Sequence, residues 1–119
     1  MAKRKFIVTT STETREVFPI NDDELIYSMK KKTNAISFTK ELKTKLIFTN
    51  NSKKGITDFD FFYNYEKNIS TRCETIKCEI YKTCNQNEVL EFTGIMPLVS
   101  GDWDLDGFKV TIKLESQND

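Results

Sequence analysis

Histidine is absent from the 119 residues. Its absence removes the commonest general base and the commonest zinc ligand together. A Ser-His-Asp or Cys-His mechanism built within this chain is therefore excluded. Glycine and proline are scarce, at four and two residues, and no glycine-rich phosphate loop is present. The three cysteines, Cys73, Cys78 and Cys84, leave one over after any pairing. Cys73 and Cys78 would point to opposite faces of an extended strand. All three are read as reduced, and they fall short of a four-cysteine zinc site. Net charge is missing too: 18 Lys and Arg stand against 18 Asp and Glu, so no global field draws nucleic acid or an acidic membrane. The basic residues are mostly lysine, which lacks the planar fork that reads phosphate and base edges. No run approaches the ~20 apolar residues of a membrane-spanning helix. The opening "MAKRKFIV" is too short and polar for a secretory signal. These absences lead us to expect a soluble protein that is not an enzyme, has no cofactor, and binds neither nucleic acid nor membrane.

What the chain does contain is alternation. One domain over residues 1–119 is expected from its length. In "GFKVTIKLE", Phe108, Val110, Ile112 and Leu114 alternate with Lys109, Thr111, Lys113 and Glu115, the pattern of a half-buried strand. "CETIKCEIYK" places Ile76, Cys78 and Ile80 on one face. "EVLEFTGI" aligns Leu90 with Phe92, and Gly94 offers a bulge or bend. The cluster "CNQNE" between these two runs predicts a hairpin turn. Upstream, Leu42, Thr44, Leu46 and Phe48 share a face. "KFIVTTST" and "REVFPI" are short and β-branched, with Pro19 marking an edge or a strand end.

Two segments depart from this pattern. "TDFDFFYNYEKN" sets Phe59, Phe62 and Tyr63 at helical spacing, with Thr57 or Asp58 able to cap, and predicts one short helix near residues 58–66. In "NDDELIYSMKKKTN", Asn21 and Glu24 resemble a capping box and the charges suit a helix macrodipole. Leu25, Tyr27 and Met29 alternate as in a strand. Locally, residues 22–32 favour a helix by a small margin.

The most site-like feature is "DWDLDG", Asp102 to Gly107. Alternating aspartates before a glycine open a calcium loop, in which a bidentate glutamate closes at position twelve. Counted from Asp102, that position is Lys113. The residues after Gly107 also alternate as a strand where an EF-hand requires a helix. Asp102, Asp104 and Asp106 are therefore read as an acidic turn rather than a metal site. Trp103, the single tryptophan, is expected to pack over a sheet end or at an interface. The aromatic run Phe59, Phe61, Phe62, Tyr63, Tyr65 could serve as a stacking platform for single strands. Its neighbours Asp58, Asp60 and Glu66 would repel phosphate, so a helix plugging the core is the better reading. Phe59, Phe62, Tyr63 and Trp103 are the packing or interface candidates.

The order of motifs in the second half carries further information. "LKTKLIFTN" leads to "DFDFFYN", then to "CETIKCEIYK", "EFTGIM" and "DWDLDGFKVTIK". This series resembles a domain found near the N-terminus of tail-associated virion proteins in phages and prophages of Bacteroidetes. Phe92, Gly94, Trp103, Asp104, Asp106, Val110 and Ile112 occupy the places of that pattern, over roughly residues 14 to 115. The resemblance implies a mainly β domain, an antiparallel sandwich or open barrel of about seven strands with the one short helix. It also implies a strand over residues 24–31, against the local reading. In function it implies a tail or tail-connector protein in the virion, made in the host bacterial cytoplasm, with other virion proteins and a ring of its own copies as partners. Two alternatives are a small carbohydrate-binding β-sandwich that uses Trp103, and a phage-encoded regulator that binds a host protein.

Overall fold

A computed structural model describes residues 4–31, 38–68 and 74–116. The strands are β1 (Arg4–Thr9), β2 (Thr14–Val17), β3 (Tyr27–Lys31), β4 (Phe38–Leu42), β5 (Leu46–Asn51), β6 (Ile56–Thr57), β7 (Ile76–Cys84), β8 (Asn87–Met96), β9 (Asp102–Asp104), β10 (Lys109–Ile112) and β11 (Glu115–Ser116). Among the described residues there is one α-helix, α1 (Asp58–Lys67), and 3-10 turns occupy Ser52–Lys54 and Leu98–Ser100. The protein is mainly β and wholly antiparallel in its described ladders. A five-stranded sheet runs β11-β8-β7-β1-β2, a four-stranded sheet β6-β5-β10-β9, and β3 pairs with β4.

Period-two alternation builds these sheets. Ile76, Cys78 and Ile80 of β7 are fully buried, as are Val110 and Ile112 of β10, while their odd-numbered or polar neighbours face outward. Phe6 and Val8 lie opposite Ile80 and Cys78 across the β1–β7 ladder, so both strands present one apolar face to the same core. Between the sheets, α1 inserts Phe59, Phe62 and Tyr65. The Phe62 ring lies 4.9 Å from that of Phe48 on β5. All buried apolar side chains join in one cluster.

The two sheets are stitched together along one side. Beyond β2, the Ile20 amide donates to the Ile47 carbonyl at 2.9 Å, and Asn21 accepts from the Ile47 amide while donating to Lys45. On the other side, the Ser116 hydroxyl donates to the Lys40 carbonyl at 2.6 Å, holding β4 against β11. The result is an open barrel whose terminal strands are β9 and β3.

Local details correct several expectations. Residues 27–31 form a strand, as the resemblance implied and the local reading did not. Asn21 is committed to β5 and cannot cap a helix, although its carbonyl does accept from the Glu24 amide in a turn. The run from Leu42 to Phe48 is broken into two strands of different sheets, because Thr44 turns aside to bond the Ile26 amide and the Glu24 carbonyl. Leu90 and Phe92 do not share a face. Ile80 pairs with Phe92 but Tyr81 with Leu90, so Glu91 is an extra residue in a β-bulge. Gly94 is not the bulge. A Cβ there would lie 2.8 Å from Phe92 Cε2 and 2.9 Å from the Glu115 carbonyl, so its smallness lets β11 approach. The hairpin at "CNQNE" closes through Asn85 and Gln86, both at positive φ, 49° and 69°, the backbone of a two-residue type I′ connection.

Candidate functional site

The DWDLDG stretch folds as the β9–β10 hairpin. Asp102, Trp103 and Asp104 form β9, pairing with Thr111, Val110 and Lys109. Residues 105–108 then make the turn. Asp104 Oδ1 accepts from the Gly107 amide at 3.1 Å, the local bond by which aspartate stabilises turns. The acidic sequence is thus half edge strand and half turn. Among the described residues, no three Asp, Glu, Cys or His side chains are arranged to hold a metal ion.

Alternation on β9 turns the Asp102 and Asp104 side chains to solvent and Trp103 inward. The indole Nε1 donates to the Leu98 carbonyl at 3.2 Å. Its ring meets Phe59 edge-on at 5.9 Å and Tyr63 at 6.1 Å. Phe59 in turn stacks on Tyr63 at 5.7 Å and takes the Phe108 ring edge-on at 5.9 Å. The structure therefore brings together Trp103, Phe59 and Tyr63, while Phe62 points away into the core against Phe48. Phe108 joins this group from the turn instead of lining the core face of β10. Its φ is 50° and it is 55 % exposed, so the strand begins at Lys109. The periodic run "GFKVTIKLE" concealed this, because a left-handed residue at a strand's start reverses facing without breaking the pattern. Val99 and Leu105 flank the same hairpin, 79 % and 54 % exposed. The site is an edge strand of acidic outer face, with β10 as its one neighbour among the described residues, bordered by apolar side chains and backed by an aromatic cluster.

Two polar connections lay outside the reach of sequence pattern. Asp58 is buried at the start of α1, yet it does not cap the helix. Its Oδ2 accepts from the Phe18 amide at 2.6 Å, and Oδ1 lies 3.7 Å from Arg15. Burial raises its pKa, opposed by the Phe18 bond and the Arg15 charge. At the bulge, Glu91 receives two bonds from Arg4, at 2.9 and 3.3 Å. Lys40 donates to the Glu91 carbonyl and lies 4.2 Å from the centre of the Tyr27 ring. Burial alone would raise the Glu91 pKa, but the Arg4 bond and the charges of Arg4, Lys40 and Lys82 hold it low. Both partnerships join residues more than 35 positions apart, and no local motif announces such pairs.

Cys78 is buried and free, its thiol pushed up to about 12 by desolvation and then by the Glu79 charge. Such a thiol is a small apolar side chain, not a nucleophile. Cys84 is exposed and free, and Cys73 lies outside the described residues. Among the described residues, no helix is long and apolar enough to cross a membrane. Set against family models, curated proteins and solved structures, the chain matches none of them.

Proposed function

We propose that the chain is a structural protein of a phage virion, a component of the tail or of its connector, that acts by protein–protein assembly without catalysis. Its partners would be other virion proteins and further copies of itself in a ring, and its destination after synthesis in the bacterial cytoplasm would be the particle. The motif order from "LKTKLIFTN" to "DWDLDGFKVTIK" supports this reading. The observation that carries it is the β9 edge, unpaired among the described residues and bordered by the exposed Val99, Leu105 and Phe108. Edge strands of monomeric proteins are usually covered, bulged or flanked by polar groups. An edge with apolar borders favours strand addition by a partner.

The carbohydrate-binding alternative fits less well. Trp103 is half-buried, its N–H is bonded to Leu98, and two aromatic rings already pack against it, leaving little ring face for a sugar. A regulator of a host protein could use the same edge. Fractionating the lysate of producing cells distinguishes the two. An assembly protein travels with tail components and particles, whereas a regulator is recovered with a host protein and without them. Recovery of the chain with neither, at every stage of particle production, counts against the proposal.

A further inference from the structure

β3 and β4 belong to neither large sheet: each has the other as its one ladder neighbour among the described residues. A lone two-stranded hairpin is marginal in water, so this one depends on its attachments to the body. Within the two strands, among the described side chains, these gather at Tyr27, Leu42 and Lys40. Tyr27 and Leu42 stand opposite each other in the register. Leu42 is buried, and the Tyr27 ring lies against Phe92 of β8 at 5.7 Å. Next on that face by alternation come Met29 and Lys40, and Met29 is already 62 % exposed. Lys40 makes the outermost attachment. Its ammonium donates to the Glu91 carbonyl at 2.9 Å and sits 4.2 Å from the centre of the Tyr27 ring, while its carbonyl accepts from Ser116.

At its base the hairpin is closed on itself. The Lys43 amide donates to the Ile26 carbonyl at 2.7 Å, and the Thr44 hydroxyl joins the Ile26 amide to the Glu24 carbonyl. A second clasp, at Asn21, belongs to the body, where its side chain bonds Lys45 and Ile47. The exposed Asp22 and Asp23 lie between the two clasps. From this we infer that the β3–β4 hairpin is a hinged flap, which detaches as a unit about the stretch between the Asn21 and Thr44 clasps when Lys40 releases Glu91. Glu91 is the extra residue of the β8 bulge and is held by Arg4 of β1, so the catch is fixed to the five-stranded sheet. Over residues 91–93, β8 has only β7 beside it among the described residues, because β11 reaches no further than Gly94. Covering such an edge is a common protection against unwanted strand pairing. Closed, the flap guards the bulge and the Phe92 ring; open, it lays both bare.

The test is native-state amide exchange of the whole chain, followed by NMR at low urea concentrations. Once detached, the flap is a lone hairpin, and its ladder amides exchange. In the wild type, β3 and β4 amides are expected to exchange together, about tenfold faster than those of β7 or more, with a smaller urea dependence. Lys40→Met keeps the stem and removes the ammonium. It should speed β3–β4 exchange about tenfold or more, through loss of a charge-assisted hydrogen bond. Val8 is buried in β1, between β7 and β2. Val8→Ala weakens the closed and open states alike, so it should speed β7 exchange about tenfold or more and leave β3–β4 exchange unchanged. Exchange of β3 and β4 at the β7 rate, with the same urea dependence, overturns the inference. So does a Val8→Ala variant that speeds both alike, or a Lys40→Met variant whose β3–β4 rates stay within about twofold of wild type. None of these readouts involves a particle, so each leaves the proposed function to its own test, co-fractionation.

Discussion

Asp58 and Glu91 are two acidic residues with opposite consequences. The Asp58 pKa is raised in the folded protein above its ordinary value of 3.8, mainly by burial. The folded state therefore binds that proton more tightly than the unfolded state does. Its contribution is fully present below 3.8 and is lost as pH rises through the raised value. Glu91 is held below its ordinary 4.5, so its contribution is present above 4.5 and is lost as pH falls through the lowered value. Melting temperature against pH should show this directly. Asp58→Asn is expected to flatten the decline above pH 4, and Glu91→Gln to flatten the loss of stability on the acid side. Asp58→Ala removes the acceptor of the Phe18 amide as well, and should lower stability by about 1–3 kcal/mol in urea unfolding. Neither residue's role was legible beforehand. Asp58 looks like a helix cap because it stands at a helix start, and only the fold brings Phe18 to it.

At the scale of elements, the alternating runs were legible and their junctions were not. β7 and α1 lie where periodicity puts them, and β10 does so from Lys109 onward, since each buries a face whose spacing is intrinsic to the element. The Glu91 bulge was hidden. An extra residue shifts the facing of Leu90 against Phe92, and the two positions still read as one stripe. The β3 segment is the converse case, with helix-like ends on a strand. Its Tyr27 ring lies 5.7 Å from Phe92 of β8, a contact that a local reading has no means of weighing. Two substitutions probe this level. Gln86→Gly relieves a positive-φ position in the β7–β8 turn, and should raise stability by about 0.5–1 kcal/mol. Gly94→Ala drives a methyl against the Glu115 carbonyl, and should lower it by about 1–3 kcal/mol. Urea unfolding of the two variants beside the wild type checks both signs.

Taken whole, the strands form an open barrel whose end strands have one neighbour each among the described residues, and the candidate site is one of those ends. The sequence marked DWDLDG as a place of interest through its spacing, and suggested calcium chemistry that its twelfth position denies. It could not show that Asp102 and Asp104 lie on a strand at the end of its sheet, since that position depends on the order of strands and not on any one of them. Trp103 offers a probe there. It sits in β9 with its ring against Phe59 and Tyr63, and as the single tryptophan it reports on this hairpin alone. Its fluorescence should shift as the chain associates, and an unchanged spectrum across association would place the contact elsewhere.

The proposed function requires that the chain be built into a particle. The most direct measurement is quantitative mass spectrometry of virions purified through successive gradients at physiological salt. A tail component is expected in fixed ratio to the other tail proteins, in several copies per particle. Particles that carry none of it, with all of the chain in the soluble lysate, would rule out a virion role.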